Sequence, residues 1–509
     1  MQVVKTVAAL RCAMELFRSS AAGITIGLVP TMGALHEGHR SLMTRARSQC
    51  GRVVVSIFVN PLQFGPQEDL ERYPRNLAAD LALCEAAGVD LVFVPTPAAL
   101  GVADRTELTQ VVPPDGLANV LCGRSRPGHF QGVTTIVTKL LNVVQPDLAF
   151  FGQKDAQQVA ILRRLVADLN LPVELITCPI VRESDGLAFS SRNQYLSAPE
   201  RQQALAIFQS LQGAIAQFQA GERSAAALLE PVRSTLSQAP GLSLDYAELV
   251  DPDSLTPLQT LEQAGLLAVA AQVGSARLID NVILQTRRPI VAIDGPAGAG
   301  KSTVTRRVAQ QLGLLYLDTG AMYRSVAWLA LDRGLDPADR LAMAELSADC
   351  TIRFGEPVTP GGEQRVWING QEVTSLIRTP TVTAQVSVVA AHAEVRRALV
   401  AQQRAIGRCG GLVAEGRDIG THVFPEAEVK IFLTATPRER AKRRLQDWRD
   451  RGQTDLPDLD SLEAAITERD YQDSNRVVAP MIKAIDAWEL VTDGMTIEQV
   501  VQAIVARVP

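Results

Sequence analysis

Along the first 180 residues, short unbroken apolar runs alternate with stretches whose apolar residues recur at helical spacing. The runs at 24–29 (ITIGLV), 53–59 (VVVSIFV), 90–94 and 148–151 predict strands buried on both faces, since polar residues do not alternate through them. Residues near 38–49, 76–87, 131–144 and 155–169 read as helices between those strands. Such alternation predicts a parallel sheet covered on both sides. From Ala198 to about Gln238 the pattern turns helical, and the strand-like segments LSLDYAELV and LLAVAAQVG follow, a smaller α+β subdomain. A third unit starts at 289–293 (PIVAI), a strand running straight into a Gly-rich loop and a helix. Strand–helix units then continue through GLVAE (411–415) and VKIFL (429–433). The predicted domains are 1–182, 183–281 and 288–509, joined without a Ser/Gly/Pro-rich linker.

Composition narrows the class. A chain of 509 residues accommodates two to four domains, and 47% hydrophobic with 21% charged residues is the profile of a globular protein. Up to Thr286 there are 22 basic and 26 acidic residues, and from Arg287 onward 28 and 29, so neither part has the basic excess of a general nucleic-acid binder. Seven scattered cysteines form no CxxC or zinc spacing and imply reduced thiols. The start shows no signal-peptide pattern, and the least polar stretch, 264–276, is too short to span a bilayer. A cytoplasmic, multidomain protein with no membrane or nucleic-acid partner is expected. Histidine and lysine are scarce, at five and seven against forty-three arginines, so their positions carry information.

The segment 28–43, LVPTMGALHEGHRSLM, places His36 and His39 three apart just after a strand. With a helix starting near Glu37, both imidazoles lie at its N-terminus beside orphan N–H groups, a setting for phosphate. The alternatives are two helix-start histidines without a role and a metal site, for which no third ligand is near. FFGQKDAQQ puts Lys154, Asp155 and Gln158 on a loop after another strand. SDGLAFSSRNQYLS offers Ser190, Ser191 and Arg192 on a polar turn. RPGHFQG adds His129, and FVNPLQFG adds Asn60 and Gln63.

These five segments, in this order, resemble pantothenate synthetase (pantoate–β-alanine ligase), and the likeness runs to ARLIDN at Asn281. It implies a Rossmann-like nucleotidyltransferase domain with a small C-terminal subdomain, dimerising through the first domain. The implied reaction joins pantoate to β-alanine through a pantoyl adenylate, with ATP and Mg²⁺. The resemblance assigns Met32, Gly33, His36, His39, Gly152, Lys154, Asp155, Val181, Ser190, Ser191 and Arg192 to ATP. His39 would be able to donate a proton, and Gln63, Gln158 and Asn60 would hold pantoate or β-alanine.

The second centre is IVAIDGPAGAGKST, where strand, Gly295-x-x-x-x-Gly300-Lys301-Ser302 and helix follow one another. In that context the loop cradles phosphates, Lys301 reaches the β/γ oxygens and Ser302 ligates Mg²⁺. The guanine signature of GTPases is absent. Arg324, Arg396, Arg417, Arg469 and Arg476 recur among Gly and Asp turns, as a pocket for a second phosphate group would require. The run PRERAKRRLQDWRDRG from Pro437 reads as an exposed basic helix, either a solvated face or a lid.

From Pro289 onward these segments, with LDTGAMYR, VSVVAAHAEVR, EGRDIG and ERDYQDSNR, resemble cytidylate kinase, a P-loop nucleoside monophosphate kinase acting on CMP or dCMP. The resemblance adds Gly298 and Thr303 to the ATP loop and has Ser387, Arg396 and Asp418 read cytosine. It puts Arg469 and Asp473 on the sugar, Arg324, Arg417 and Arg476 on phosphates, and VWINGQEV in a substrate-binding insert. Gln472 and Ser474 depart from the family, which often carries arginines there. The expectation is a bifunctional enzyme. The rivals are a related adenylate-forming enzyme fused to a UMP/CMP-type kinase, and a catalytically decayed scaffold.

Overall fold

The computed structural model describes all residues except 21–22, 66–67, 105–106, 287, 356–362, 451–455, 475–480 and 509. The chain forms two compact units, Met1–Thr286 and Arg287–Pro509.

The first unit opens with a six-stranded sheet of β1 (Gln2–Val4), β2 (Ile26–Thr31), β3 (Arg52–Ile57), β4 (Leu91–Phe93), β5 (Leu148–Gly152) and β6 (Glu174–Cys178). Its order is β1-β4-β3-β2-β5-β6, and every pairing is parallel. The continuous apolar runs follow from this placement, because alternate residues of one strand enter opposite cores. Leu28 and Val54 pack on one side with Leu140 and Leu162, while Val29, Val53 and Val55 pack on the other with Leu42, Met43 and Ala46. The chain winds from β2 outward through β3 and β4, then returns to place β5 on the other flank of β2. This reversal opens a crevice at the C-terminal ends of β2 and β5, where α/β sheets bind ligands.

β6, the edge strand β1 and the helix Val7–Ser20 extend the predicted layout. The helices Ala198–Gln219 and Ala225–Gln238 pack on an antiparallel sheet of β7 (Leu242–Val250), β8 (Ala264–Val273) and β9 (Ala276–Gln285). β9 continues past the expected boundary at Asn281, since its pairing with β8 runs to Ala264↔Gln285.

The second unit is built on β10 (Arg288–Asp294), β11 (Leu315–Asp318), β15 (Gly410–Glu415), β16 (Val429–Thr434) and β17 (Trp488–Val491). They form a parallel sheet in the order β11-β15-β10-β16-β17. Here too the chain reverses about its first strand, β10, and the Gly-rich loop leaves from that point. A small antiparallel sheet of β12 (Ile352–Gly355), β13 (Arg365–Ile368) and β14 (Gln371–Glu372) shares one core with the helices Thr319–Asp332 and Ala393–Ile406. The expected basic helix spans Pro437–Asp450 but is not exposed throughout. Arg440, Ala441 and Leu445 are buried, the last two against Leu462 and Ile466 of the helix Leu459–Ser474, so the run has an inner face.

Candidate active sites

In the first unit, a cavity of about 230 Å³ lies at the crevice between β2 and β5. The helix Glu37–Gln49 starts at its edge, and its N-cap is His36. His36 Nδ1 accepts from the Gly38 N–H at 3.2 Å, and the His36 N–H donates to His39 Nδ1 at 3.3 Å. A ring nitrogen that accepts carries no proton, so the hydrogen-bond network assigns both rings as Nε2–H tautomers. The two rings lie 4.1 Å apart, with Phe189 stacked on His36. Burial, with Lys154 adding, pushes the His36 pKa down to about 4. Burial drives His39 well below its usual value, with His36 and Lys154 adding. Both imidazoles are therefore neutral near pH 7. In this tautomer a neutral imidazole offers its Nε2–H as a hydrogen-bond donor.

The turn feeding these histidines is held from behind. Gly33 has φ +82°, and a Cβ there would meet Asp80 Oδ2 at 3.0 Å. Asp80, buried on the helix Leu77–Ala86, accepts the N–H groups of Ala34 at 3.0 Å and Leu35 at 2.7 Å. Gly33 is behind the cavity wall, whereas Met32 lines it. Asp80 escaped sequence reasoning because nothing local ties it to a turn 46 residues away.

Gln63 reaches the cavity and donates to Met32 Sδ at 2.9 Å. Asn60 also borders the cavity but is only 2% exposed, with Oδ1 accepting from Leu62 and Nδ2 donating to Gln63 Oε1 and Gly132 O. Its polar atoms are thus already bonded within the protein, with one bond to Gln63. His129 is similarly locked, Nδ1 donating to Gln63 O at 2.7 Å and Nε2 accepting from Arg126 at 3.1 Å. Burial, with Arg126 adding, lowers its pKa to about 3.

After β5, Gly152, Lys154, Asp155 and Gln158 line the cavity, and Val181 walls it. Asn281, on β9, holds this loop by donating to the carbonyls of Gln153 and Lys154, both at 3.0 Å. Ser190 caps the short helix Ser191–Tyr195, and Ser191 Oγ lies 3.3 Å from Tyr73 OH. Arg192 forms a two-bond pair with Asp69 (2.9 and 2.8 Å), and Arg126 forms one with Glu68 (2.8 and 2.6 Å). Glu68 and Asp69 were missed. Two acids shortly after FVNPLQFG are the visible signal, since arginines lining an anion site need counter-charges to stay oriented. A second cavity of about 330 Å³ shares Lys154, Asp155, Gln158, Ser190 and Arg192 and extends to Tyr246 and Arg277.

In the second unit, the loop after β10 turns at Gly295 (φ +142°), Gly298 (φ +78°) and Gly300 (φ +84°). A Cβ on Gly295 would come within 2.0 Å of Leu433 O on β16, so glycine is required there. Lys301 begins the helix Lys301–Leu312 and bends its Nζ back onto Gly295 O and Pro296 O, both at 2.7 Å. Ser302 and Thr303 are exposed beside it. Arg440 donates to Ala297 O in the loop and pairs with Asp470.

Arg396 and Asp418, twenty-two residues apart, meet as a buried ion pair, with the guanidinium 5.7 Å from the Tyr323 ring centre. Arg324 pairs with Asp318 at 2.8 Å, Arg417 bonds Gly416 O, and Ser387 lies on the helix Pro380–Ala391. Arg469 and Asp473 lie on the helix Leu459–Ser474, their side chains outside the described residues, as is all of Arg476. Asp294 and Glu415, at the ends of β10 and β15, are buried acids that sequence reasoning passed over. Glu415 Oε1 accepts the Tyr316 hydroxyl at 2.6 Å, its Oε2 is buried without a well-formed hydrogen bond, and Ser302 is near the carboxylate.

Two family models match the chain, Pantoate-beta-alanine ligase over residues 2–283 and Cytidylate kinase over residues 291–509. The bifunctional pantoate ligase/cytidylate kinase of Thermosynechococcus vestitus is 59% identical over 500 residues, covering 98% of this chain and 96% of that protein. Its counterpart from Synechococcus elongatus is 58% identical over 495 residues, covering 97% and 93%. The crystal structure of pantothenate synthetase from Thermus thermophilus superposes with a TM-score of 0.52 at 43% identity, covering 55% of this chain and 99% of that one.

Proposed function

The chain belongs to the bifunctional pantoate ligase/cytidylate kinases, and from that membership we propose the residue roles by which its two units carry out the two reactions. In the ligase half, the pantoate carboxylate attacks the α-phosphorus of ATP and pyrophosphate leaves. The amine of β-alanine then attacks the acyl carbon of pantoyl adenylate, and AMP departs. A carboxylate is ionised at neutral pH, so the first step calls for alignment and charge stabilisation rather than a base. One cavity lined by His36, His39, Lys154, Gln63 and Gln158 is the observation that carries this reading. In our assignment the neutral His36 and His39 donate Nε2–H to phosphate oxygens without titrating near pH 7. Lys154 supplies the positive charge, with Ser190, Ser191 and Arg192 alongside. Gln63, oriented by Asn60, and Gln158 take pantoate, because an amide serves both a hydroxyl and a carboxylate.

In the kinase half, the phosphate oxygen of CMP or dCMP attacks the γ-phosphorus of ATP and ADP leaves. We assign the 295–303 loop to ATP, the Arg396–Asp418 pair and Ser387 to cytosine, and Arg324 and Arg417 to phosphate. Arg469 and Asp473 go to the sugar and Arg476 to phosphate on the family likeness alone. The donor set beside the loop suits Mg²⁺, a hard cation that takes oxygen ligands. The Ser302 hydroxyl and the Glu415 Oε2 would hold it, and it would neutralise phosphate charge there. The ligase likewise takes ATP with Mg²⁺. We place the enzyme in the cytoplasm as a homodimer through its ligase half; among the described residues no helix is long and apolar enough to cross a membrane.

Incubating the purified chain with ATP, Mg²⁺, pantoate, β-alanine and CMP tests the residue assignment when His39→Ala runs alongside. The wild type yields AMP, pyrophosphate, pantothenate and CDP. The variant should lose roughly 10²–10³ in pantoyl adenylate formation while CDP formation stays unchanged. A tenfold loss or less would remove His39 from the transition-state donors.

A further inference from the structure

The short helix Ile419–Val423 follows Asp418, its N-cap residue, yet Asp418 makes no side-chain cap bond. Its carboxylate instead pairs with Arg396. The orphan N–H groups at this buried helix start are satisfied from another strand. Asp294 Oδ1 accepts the Ile419 N–H at 2.8 Å, and Oδ2 accepts the Gly420 N–H at 2.7 Å. Asp294 is 5% exposed and is the last residue of β10, immediately before Gly295. The backbone makes a parallel link, since the Gly416 N–H donates to Ile293 O at 3.1 Å.

We infer that Asp294 is a positioning residue that caps the 419–423 helix in place of Asp418, frees Asp418 for the nucleobase, and sets the acceptor loop in register with the ATP loop. The chemistry requires such a device. A helix start leaves N–H groups needing acceptors, and an Asp at the N-cap ordinarily turns its own carboxylate onto them. An Asp418 turned onto the helix start would have less of its carboxylate to offer Arg396. Supplying the cap from Asp294 resolves that competition. Because Asp294 adjoins Gly295, the cap also ties the segment carrying Arg417 and Asp418 to the strand end that launches the phosphate loop. Phosphoryl transfer depends on the relative placement of donor and acceptor, so this link acts on alignment without touching either nucleotide. Burial raises the Asp294 pKa to about 6, opposed by the two N–H bonds and by Lys301, with Asp418 as the neighbouring negative charge that adds to the rise. A group ionised against its desolvation is held there by the bonds it accepts.

This inference rests on Asp418 and Arg396 being the base readers, and a double-mutant cycle separates the two. Asp294→Asn, Asp418→Asn and the double variant of the full chain are assayed for CDP formation over a grid of CMP and ATP. Asn is isosteric but offers one acceptor for two N–H groups. Asp294→Asn should therefore raise KM for CMP about tenfold, leave KM for ATP within about twofold, and add little to the Asp418→Asn loss. Amide exchange at Ile419 and Gly420 should speed up in Asp294→Asn, while pantothenate formation in the same sample stays at the wild-type rate. If Asp418→Asn leaves CMP binding intact, the base-reader assignment falls. If Asp418→Asn impairs CMP while Asp294→Asn does not, or the two losses multiply independently, the positioning role falls alone. Equal loss for both nucleotides, or general loss of protection, would make Asp294 a structural residue of the ATP loop and overturn the inference.

Discussion

Replacing His36 by Asn should change how the stability of the ligase half depends on pH. Asn is a favourable N-cap and can accept the Gly38 N–H that His36 Nδ1 now accepts, but it does not titrate. The His36 pKa falls from 6.5 to about 4 on folding, chiefly through burial. The unfolded chain thus takes up this proton before the folded one does. Stability from the neutral ring is complete above about pH 6.5 and is lost as pH falls towards 4. The full shift corresponds to about 3 kcal/mol, of which about 2 kcal/mol has gone by about pH 5. His36→Asn should match the wild type near pH 7.5, apart from a cap difference of a few tenths of a kcal/mol, and gain about 2 kcal/mol on it near pH 5. All four tryptophans, Trp328, Trp367, Trp448 and Trp488, lie in the kinase half, so their fluorescence is blind to this change and serves as an internal control. Pulse proteolysis in urea, followed on peptides from the Glu37–Gln49 helix and β2–β5, reads the ligase half directly. If the two proteins lose stability in parallel between those pH values, folding does not lower the His36 pKa and burial does not hold the ring neutral.

Replacing Lys301 by Ala should abolish CDP formation and leave pantothenate formation at the wild-type rate; loss of both together would mean the two sites are not independent. Gly132→Ala should act on pantoate. Its Cβ would lie 2.3 Å from Leu62 O and 2.7 Å from the Gln63 N, backbone atoms with no rotamer to yield. Displacement of the turn should raise KM for pantoate several-fold with KM for ATP little changed, and cost about 1–3 kcal/mol of stability by urea unfolding. An unaltered pantoate KM would show that Gln63 can shift without consequence.

Much of the layout was legible along the chain. The buried strands announced themselves because both faces of a covered parallel sheet need apolar side chains, as Leu28 and Val29 show by entering opposite cores. The edge strand β1 did not, since its residues are largely exposed and its three-residue length carries no pattern. The basic run from Pro437 misled for a related reason. Arg440 reads as one more surface charge until its guanidinium is seen bonded to Ala435 O, Ala297 O and Asp470 inside the fold.

The residue types that meet phosphate and amide chemistry were readable from local spacing, because a strand, a glycine turn and a helix start bring their own backbone donors with them. His36 and His39, Lys154 and Lys301 could be singled out on that ground alone, along with the division into two nucleotide-binding halves. Only the tertiary structure determined which of these groups are free to act. Asn60 and His129 have their polar atoms already bonded within the protein, one bond of each to Gln63, His36 and His39 are neutral because they are buried, and Arg192 and Arg126 are aimed by Asp69 and Glu68. Asp80 and Asp294 hold the turns that carry the site residues, from Leu35 across 45 positions of sequence and from Ile419 across 125. A carboxylate that caps a distant turn leaves no local signature, since its partner is a backbone N–H that any residue could supply. Its role exists only once folding removes water and makes that one acceptor indispensable.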